Sequence, residues 1–248
     1  MGAQTTVRHS TMSLSKIPFV IASAISIHVS LTTSSPPPSS EEKVMPTAFE
    51  SSIKWFMAFR GLEWMKIGAW AVSSAEVANI LAMHIDPSGG IYGARAVQLL
   101  RSLHPTPITP TFLAGSLAIT IGGLFRLYCI STLGKFWSFQ LSVRKEHRLV
   151  TSGPYSVVRH PSYTGLLLQS VGIMIMYGSP ESWMRQSGIL QVPFMSLLAA
   201  NFFVLFGLCV WIGVTRPAIE DKMLKRALGK EWENWAKEVK YRLIPGVY

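Results

Sequence analysis

The chain has 248 residues, of which 49% are hydrophobic and only 15% charged, and its mean hydropathy is +0.31. That is too apolar and too charge-poor for a soluble domain of this length and points to the membrane class. The net charge of +10 does not indicate a nucleic-acid partner, because Lys and Arg lie in connections between apolar runs and form no single stripe; Cys129 and Cys209, both inside apolar runs, suggest neither a disulfide framework nor a Cys-based metal site.

In chain order, the first apolar segment is residues 17–31. It is short for a bilayer span and rich in Ser, and it is expected to be retained as a helix, since the following "TTSSPPPSS" offers no small-x-small cleavage pattern. Residues 32–43, "TTSSPPPSSEEK", read as a flexible loop. Residues 64–84, 111–130, 163–178 and 189–214 are each apolar enough to span or nearly span a bilayer, which takes about 20 helical residues. Between the first two of these, "DPSGGIYGAR" and "LHPTPITPT" carry enough Gly and Pro to break helices.

The predicted fold is therefore all-α: a polytopic integral membrane protein of about five transmembrane helices, with a cytosolic C-terminal amphipathic helix. Three regions follow: 1–62, a marginal span and Ser/Pro-rich loop; 63–138, transmembrane helices; and 139–248, which holds the polar motifs. Lys135, Arg144, Lys145, Arg148 and Arg159 lie in one connection, and eight more Lys or Arg follow Val214, so both regions are expected to face the cytosol. In the tail, Ile219, Met223, Ala227, Leu228, Trp232, Trp235 and Val239 recur at helical spacing opposite charged residues, as an interfacial helix requires.

Two polar clusters border these spans. In "LVTSGPYSVVRHPSYTG", Gly153-Pro154 sets a turn, and Pro161 biases His160 away from helix and opens the next span. Tyr155, Arg159, His160, Ser162 and Tyr163 thus gather at a helix N-terminus, where free N–H groups suit an anion or polar cofactor. In "VTRPAIED", Pro217 fits the first turn of a new helix that begins where the last span ends, with Arg216 at the bilayer edge four residues before Glu220. The clusters flank the two ends of one helical hairpin and so are expected to meet in a pocket with a polar mouth and membrane-helix walls.

"EHRLVTSGPYSVVRHPSYTG", an apolar hairpin and "RPAIEDKMLKRALGKEWENWAKEV" together resemble the isoprenylcysteine carboxyl methyltransferase family, in the expected order across residues 139–248; upstream of Phe139 the likeness is only in hydropathy. The resemblance implies methylation of the C-terminal carboxylate of a prenylated cysteine with S-adenosylmethionine, in the endoplasmic reticulum membrane, with the active site facing the cytosol. The acceptor would be a prenylated protein C-terminus or a small prenylcysteine, with membrane lipid around it and neither nucleic acid nor metal involved.

Carried over by motif, His147, Arg148, Leu149, Val150 and Tyr155 would contact the cofactor, as would His160, Pro161, Ser162 and Tyr163. Arg216 would hold the substrate carboxylate and Glu220 the cofactor, these two being the catalytic pair, and Gln140 is a further cofactor candidate. The chain departs from the family at Asp221, where a second Glu is usual, and at Trp232 and Trp235, where tyrosines are common. Alternative readings are a phospholipid or other lipid methyltransferase, then an NADPH-dependent sterol reductase, then a non-catalytic membrane scaffold.

Overall fold

The computed structural model describes residues 14–32, 39, 42, 48–84, 91–143 and 148–247; most of the Ser/Pro-rich loop and all of His147 lie outside them. Among the described residues the regular elements are helices: α1 (Ile17–Ser30), α2 (Ala48–Ala58), α3 (Gly61–Ala82), α4 (Ile91–Arg101), α5 (Pro110–Leu133), α6 (Pro161–Gly178), α7 (Trp183–Gln186), α8 (Met195–Leu228) and α9 (Lys230–Glu238). Among the described residues two stretches are long and apolar enough to cross a membrane: Pro110–Phe136, which is α5 with the turn after it, and α8, with mean hydropathies of 1.6 and 2.3; α1 is apolar but shorter.

Helix ends follow local chemistry. Pro110 opens α5, and the Thr109 hydroxyl caps it by accepting the Phe112 N–H at 3.1 Å. Pro161 opens α6 in the same way, leaving His160 at φ −129° and outside the helix.

The centre of the bundle is the pair α5 and α6, which form the most extensive interhelical contact; α1 packs on α5, and α8 on α6. Glycine permits the close approach. A Cβ on Gly122 would stand 2.7 Å from the Gly165 carbonyl oxygen, and one on Gly172 would stand 2.7 Å from that of Gly115, so the backbones touch where a side chain would intervene. Around this seam Val20, Ile27, Met65, Ile119, Ile173, Tyr177 and Phe206 make up much of the apolar core. Leu117, Ile121, Leu124 and Tyr128 of α5, at three- and four-residue spacing, face outward and at least half exposed, a surface suited to lipid.

Two expectations are corrected. The connection after α3 contains α4, because its prolines, at positions 87, 105 and 107, flank residues 91–101, and a single Gly93 inside the helix costs only about 1 kcal/mol. The last apolar helix also does not end before Pro217. α8 continues through it to Leu228, and the tail breaks instead at Gly229, φ +55°, before α9. The buried stripe Phe202, Phe206, Cys209, Gly213, Pro217 and Asp221 keeps helical spacing across the proline. Burial of large apolar side chains, each about 1.5–3 kcal/mol, offsets the one hydrogen bond the proline removes.

Candidate active site

Gly134, at φ +52°, ends α5 and turns the chain into residues 137–142, where Trp137, Leu141 and Ser142 are buried. Further along, Gly153 at φ +60° starts the Gly153–Ser156 turn, which buries Tyr155 before the chain enters α6. The tail returns to the same place. The Arg159 and His160 N–H groups donate to the Tyr241 and Arg242 carbonyls at 2.9 and 2.8 Å, and the Thr164 hydroxyl donates to the Leu243 carbonyl at 2.7 Å. The start of α6 is therefore fixed from two sides, by α8 and by the last residues described.

Between those elements the two polar clusters meet, as the hairpin argument predicts. Glu220 accepts the Tyr163 hydroxyl at 2.5 Å, and its carboxylate lies 3.4 Å from Arg216 Nε and 3.3 Å from His160 Nδ1. His160 Nε2 is 2.8 Å from Asp221 Oδ1, so both ring nitrogens face carboxylates, the arrangement of an imidazolium with two donors. Burial disfavours that charge, but the hydrogen bonds to Asp221 and Glu220 outweigh it, and the His160 pKa lies above its ordinary value. Tyr155 shows the opposite balance: burial dominates and pushes its phenol well above the usual range.

Asp221 also reaches a second set of partners through its other oxygen. Its Oδ2 receives Arg242 Nε at 2.8 Å and lies 3.3 Å from Arg159 Nη2. Arg159 Nη1 also donates to the Val239 carbonyl at 3.1 Å. The residue that departs from the family pattern thus joins α8, the approach to α6 and the tail, while its neighbour Glu220 turns inward.

The inward groups open onto one cleft that is continuous with solvent. Arg148, Leu149, Val150, Tyr155, His160, Ser162, Tyr163, Arg216 and Glu220 line it, as does Gln140; Pro161 is buried in the first turn of α6 and is not part of the lining. The remaining wall is largely apolar, from Met223, Leu224 and Trp235 past Leu166, Ile212 and Cys209 to Ile53, Phe56 and Leu62.

Sequence reasoning missed Arg126. It lines the cleft while almost fully buried, with Nε donating to the Ser30 carbonyl at 3.0 Å, Nη1 to the Ser162 carbonyl at 3.1 Å, and its guanidinium 5.2 Å from the Trp137 ring. The signal was present: one arginine inside the apolar run 111–130 is expensive unless it serves a site. Trp137 was missed as well, since an aromatic residue after a span reads first as an interface anchor.

Comparison with known proteins bears on this region. Residues 115–206 match the model of the isoprenylcysteine carboxyl methyltransferase (ICMT) family. The resemblance drawn from the motifs stands. The matched segment begins at Gly115, upstream of Phe139, so the likeness before Phe139 is more than hydropathy; it ends before Arg216. Among curated proteins, protein-S-isoprenylcysteine O-methyltransferase B of Arabidopsis thaliana is 30% identical over 128 residues, 50% of this chain and 55% of that protein. Protein-S-isoprenylcysteine O-methyltransferase A of the same plant is 39% identical over 70 residues, 27% of this chain and 36% of its own. The Delta(14)-sterol reductase of Mus musculus is 30% identical over 101 residues, 41% of this chain but 20% of its own length. The chain spans about half the length of the first methyltransferase relative.

Proposed function

We propose that this protein transfers a methyl group from S-adenosylmethionine to the C-terminal carboxylate of a prenylated cysteine, giving a methyl ester. The observation that carries this reading is the cleft itself, which joins an Arg216–Glu220–His160–Tyr163 group to a continuous apolar wall. An acceptor that ends in a carboxylate on one side and a hydrocarbon chain on the other matches both parts.

No general base is needed. A C-terminal carboxyl has an ordinary pKa near 3.5, so at neutral pH it is ionised and is itself the nucleophile. The protein's task is alignment and removal of water from that anion. Arg216 suits the first part, since a planar guanidinium can hold one carboxylate oxygen and leave the other to react. His160 and Tyr163, both engaged with Glu220, orient and do not transfer protons.

The cleft also fits the methyl donor. Trp137 Nε1, Gln140 Oε1 and Trp235 Nε1 are buried polar atoms of cleft-lining residues with no hydrogen bond among the described residues, a costly condition that a polar ligand relieves. Those groups would hold the cofactor together with Glu220, Tyr155 and the backbone around Leu149 and Val150. When bound, it supplies an electrophilic methyl group.

In this reading α1, α3 and α6 cross the membrane beside α5 and α8, for five spans in the endoplasmic reticulum membrane. The basic connection after α5 and the basic tail then face the cytosol. The test is transfer of labelled methyl from S-adenosylmethionine to N-acetyl-S-farnesylcysteine in membranes that contain the protein. The expected product is a base-labile methyl ester that disappears in Arg216→Ala. Cofactor binding without transfer would point to another lipid acceptor, and no cofactor binding would sink the methyltransferase reading.

A further inference from the structure

The tail is fastened to the start of α6 through its backbone. The Arg159 and His160 N–H groups and the Thr164 hydroxyl donate to the carbonyls of Tyr241, Arg242 and Leu243, and a side-chain substitution at position 242 removes none of these acceptors. Holding the tail in place therefore does not require the Arg242 guanidinium.

That guanidinium nonetheless reaches inward to a carboxylate only 5% exposed: Arg242 Nε is 2.8 Å from Asp221 Oδ2. Asp221 Oδ1 faces His160 Nε2 at 2.8 Å, and His160 Nδ1 lies 3.3 Å from Glu220 Oε2. Glu220 in turn meets the Tyr163 hydroxyl and Arg216 Nε in the cleft wall. One line of polar contacts thus runs from the tail to the cleft, and it starts well past residue 206, where the matched family segment ends. Arg159 is not equivalent to Arg242, because its contact with Asp221 is longer, at 3.3 Å, and its other terminal nitrogen goes to the Val239 carbonyl.

His160 is the link between the two carboxylates. A neutral imidazole donates from one nitrogen only, which would leave the lone pair of the other facing a carboxylate, whereas the imidazolium holds both. The charged and titratable groups around the ring are Arg159 and Tyr163 of its own segment, Arg216, Glu220 and Asp221 of α8, and Arg242 of the tail. The raised pKa of His160 agrees with the charged form.

We propose that Arg242 is a positioning residue of the active site: it fixes Asp221, which holds the His160 ring against Glu220 and so sets the carboxylate that receives the cofactor. This role rests on the reading of the cleft as a prenylcysteine methyltransferase site. A carboxylate held in place before the cofactor arrives has less freedom to lose on binding, and that gain appears as affinity.

The experiment measures kcat and KM for S-adenosylmethionine across pH, with N-acetyl-S-farnesylcysteine as acceptor and the full-length protein in membranes. Arg242→Ala should raise the cofactor KM by about tenfold or more, the factor carried by one charge-assisted hydrogen bond, with a smaller change in kcat. Arg242→Lys, which keeps the charge but not the fork, should recover part of the loss. The pH profile separates positioning from damage to the tail. In Asp221→Asn the ring loses an anionic neighbour and gives up its proton sooner, so the alkaline fall of activity should move to lower pH by about one unit or more. In Arg242→Ala a cation leaves the same neighbourhood, and the fall should move the other way. A loosened tail lowers activity without moving either profile. An active wild type whose cofactor KM is unchanged in Arg242→Ala, or whose profile coincides with those of both variants, overturns the positioning role alone. A wild type that transfers no methyl to this acceptor overturns the underlying prenylcysteine reading and the role with it.

Discussion

Glu220 and Asp221 are adjacent in sequence and opposite in use. The helix turns one carboxylate towards Arg216 and Tyr163 and the other towards Arg159 and Arg242, with His160 between them. In the proposed reaction Arg216 is the residue on which substrate anchoring depends. In Arg216→Lys the charge survives but the planar fork does not, and losing one charge-assisted hydrogen bond costs about 1.5–3 kcal/mol. That corresponds to a fall in kcat/KM of roughly 10- to 100-fold, with S-adenosylmethionine affinity retained; equal losses of cofactor affinity and turnover would contradict the carboxylate role. His160 yields a prediction on stability. Its folded pKa is raised, so the protonated ring contributes stability that is fully present below the unfolded pKa of about 6.5 and is lost as pH rises through the folded value. Thermal unfolding in detergent should therefore show His160→Gln lowering Tm clearly at about pH 6 and much less at about pH 9. A penalty that grows with pH would mean the ring is held neutral.

At the scale of elements, the motifs were legible because prolines and glycines force the backbone there. Pro161 opens α6 and Gly153 turns the chain where the sequence places them. The continuity of α8 through Pro217 was not legible, because local propensity says nothing about the buried stripe from Phe202 to Asp221 that holds the helix on both sides of the proline. Arg126, and the structural role of Asp221, escaped notice for a related reason: their partners, Ser30, Ser162, Arg159 and Arg242, are distant in sequence and become neighbours only in the packed bundle. The seam between α5 and α6 is a testable case of element-level constraint. A Cβ on Gly165 would come within 2.8 Å of the Gly122 carbonyl oxygen and 3.1 Å of the Arg126 backbone nitrogen, so neither neighbour is a flexible side chain that can yield. Gly165→Val should destabilise by about 1–3 kcal/mol or more through overpacking. It should also disturb Arg126 and with it the adjoining Trp137 ring, visible as weaker binding of the proposed cofactor in the fraction that folds. Unchanged thermal stability in detergent would show that the two helices are farther apart than this.

The whole molecule depends on a helix outside the matched family segment. α1 reaches both ends of the bundle, about 20 Å apart at 1.5 Å per residue. At one end Lys16, 1% exposed, lies 2.6 Å from Glu76 of α3 and donates to the Thr106 hydroxyl at 2.7 Å, with its ammonium 4.4 Å from the centre of the Phe112 ring. At the other end the Ser30 carbonyl accepts Arg126 and the Ser30 hydroxyl donates to Gln169 at 2.6 Å, while Leu31 joins the cleft wall. A buried ion pair of this kind is stabilising only relative to its broken form. Removal of one partner strands a charge and costs about 3–5 kcal/mol, whereas replacing both with apolar side chains of similar size is close to neutral. Lys16→Met and Glu76→Leu should each lower Tm strongly, and the double variant should recover most of the loss. Because α1 also holds Arg126, the single variants should weaken the proposed methyl transfer as well, and the double variant should restore it. Recovery of stability without recovery of activity would mean that Lys16 or Glu76 serves the site by some route other than the placement of α1.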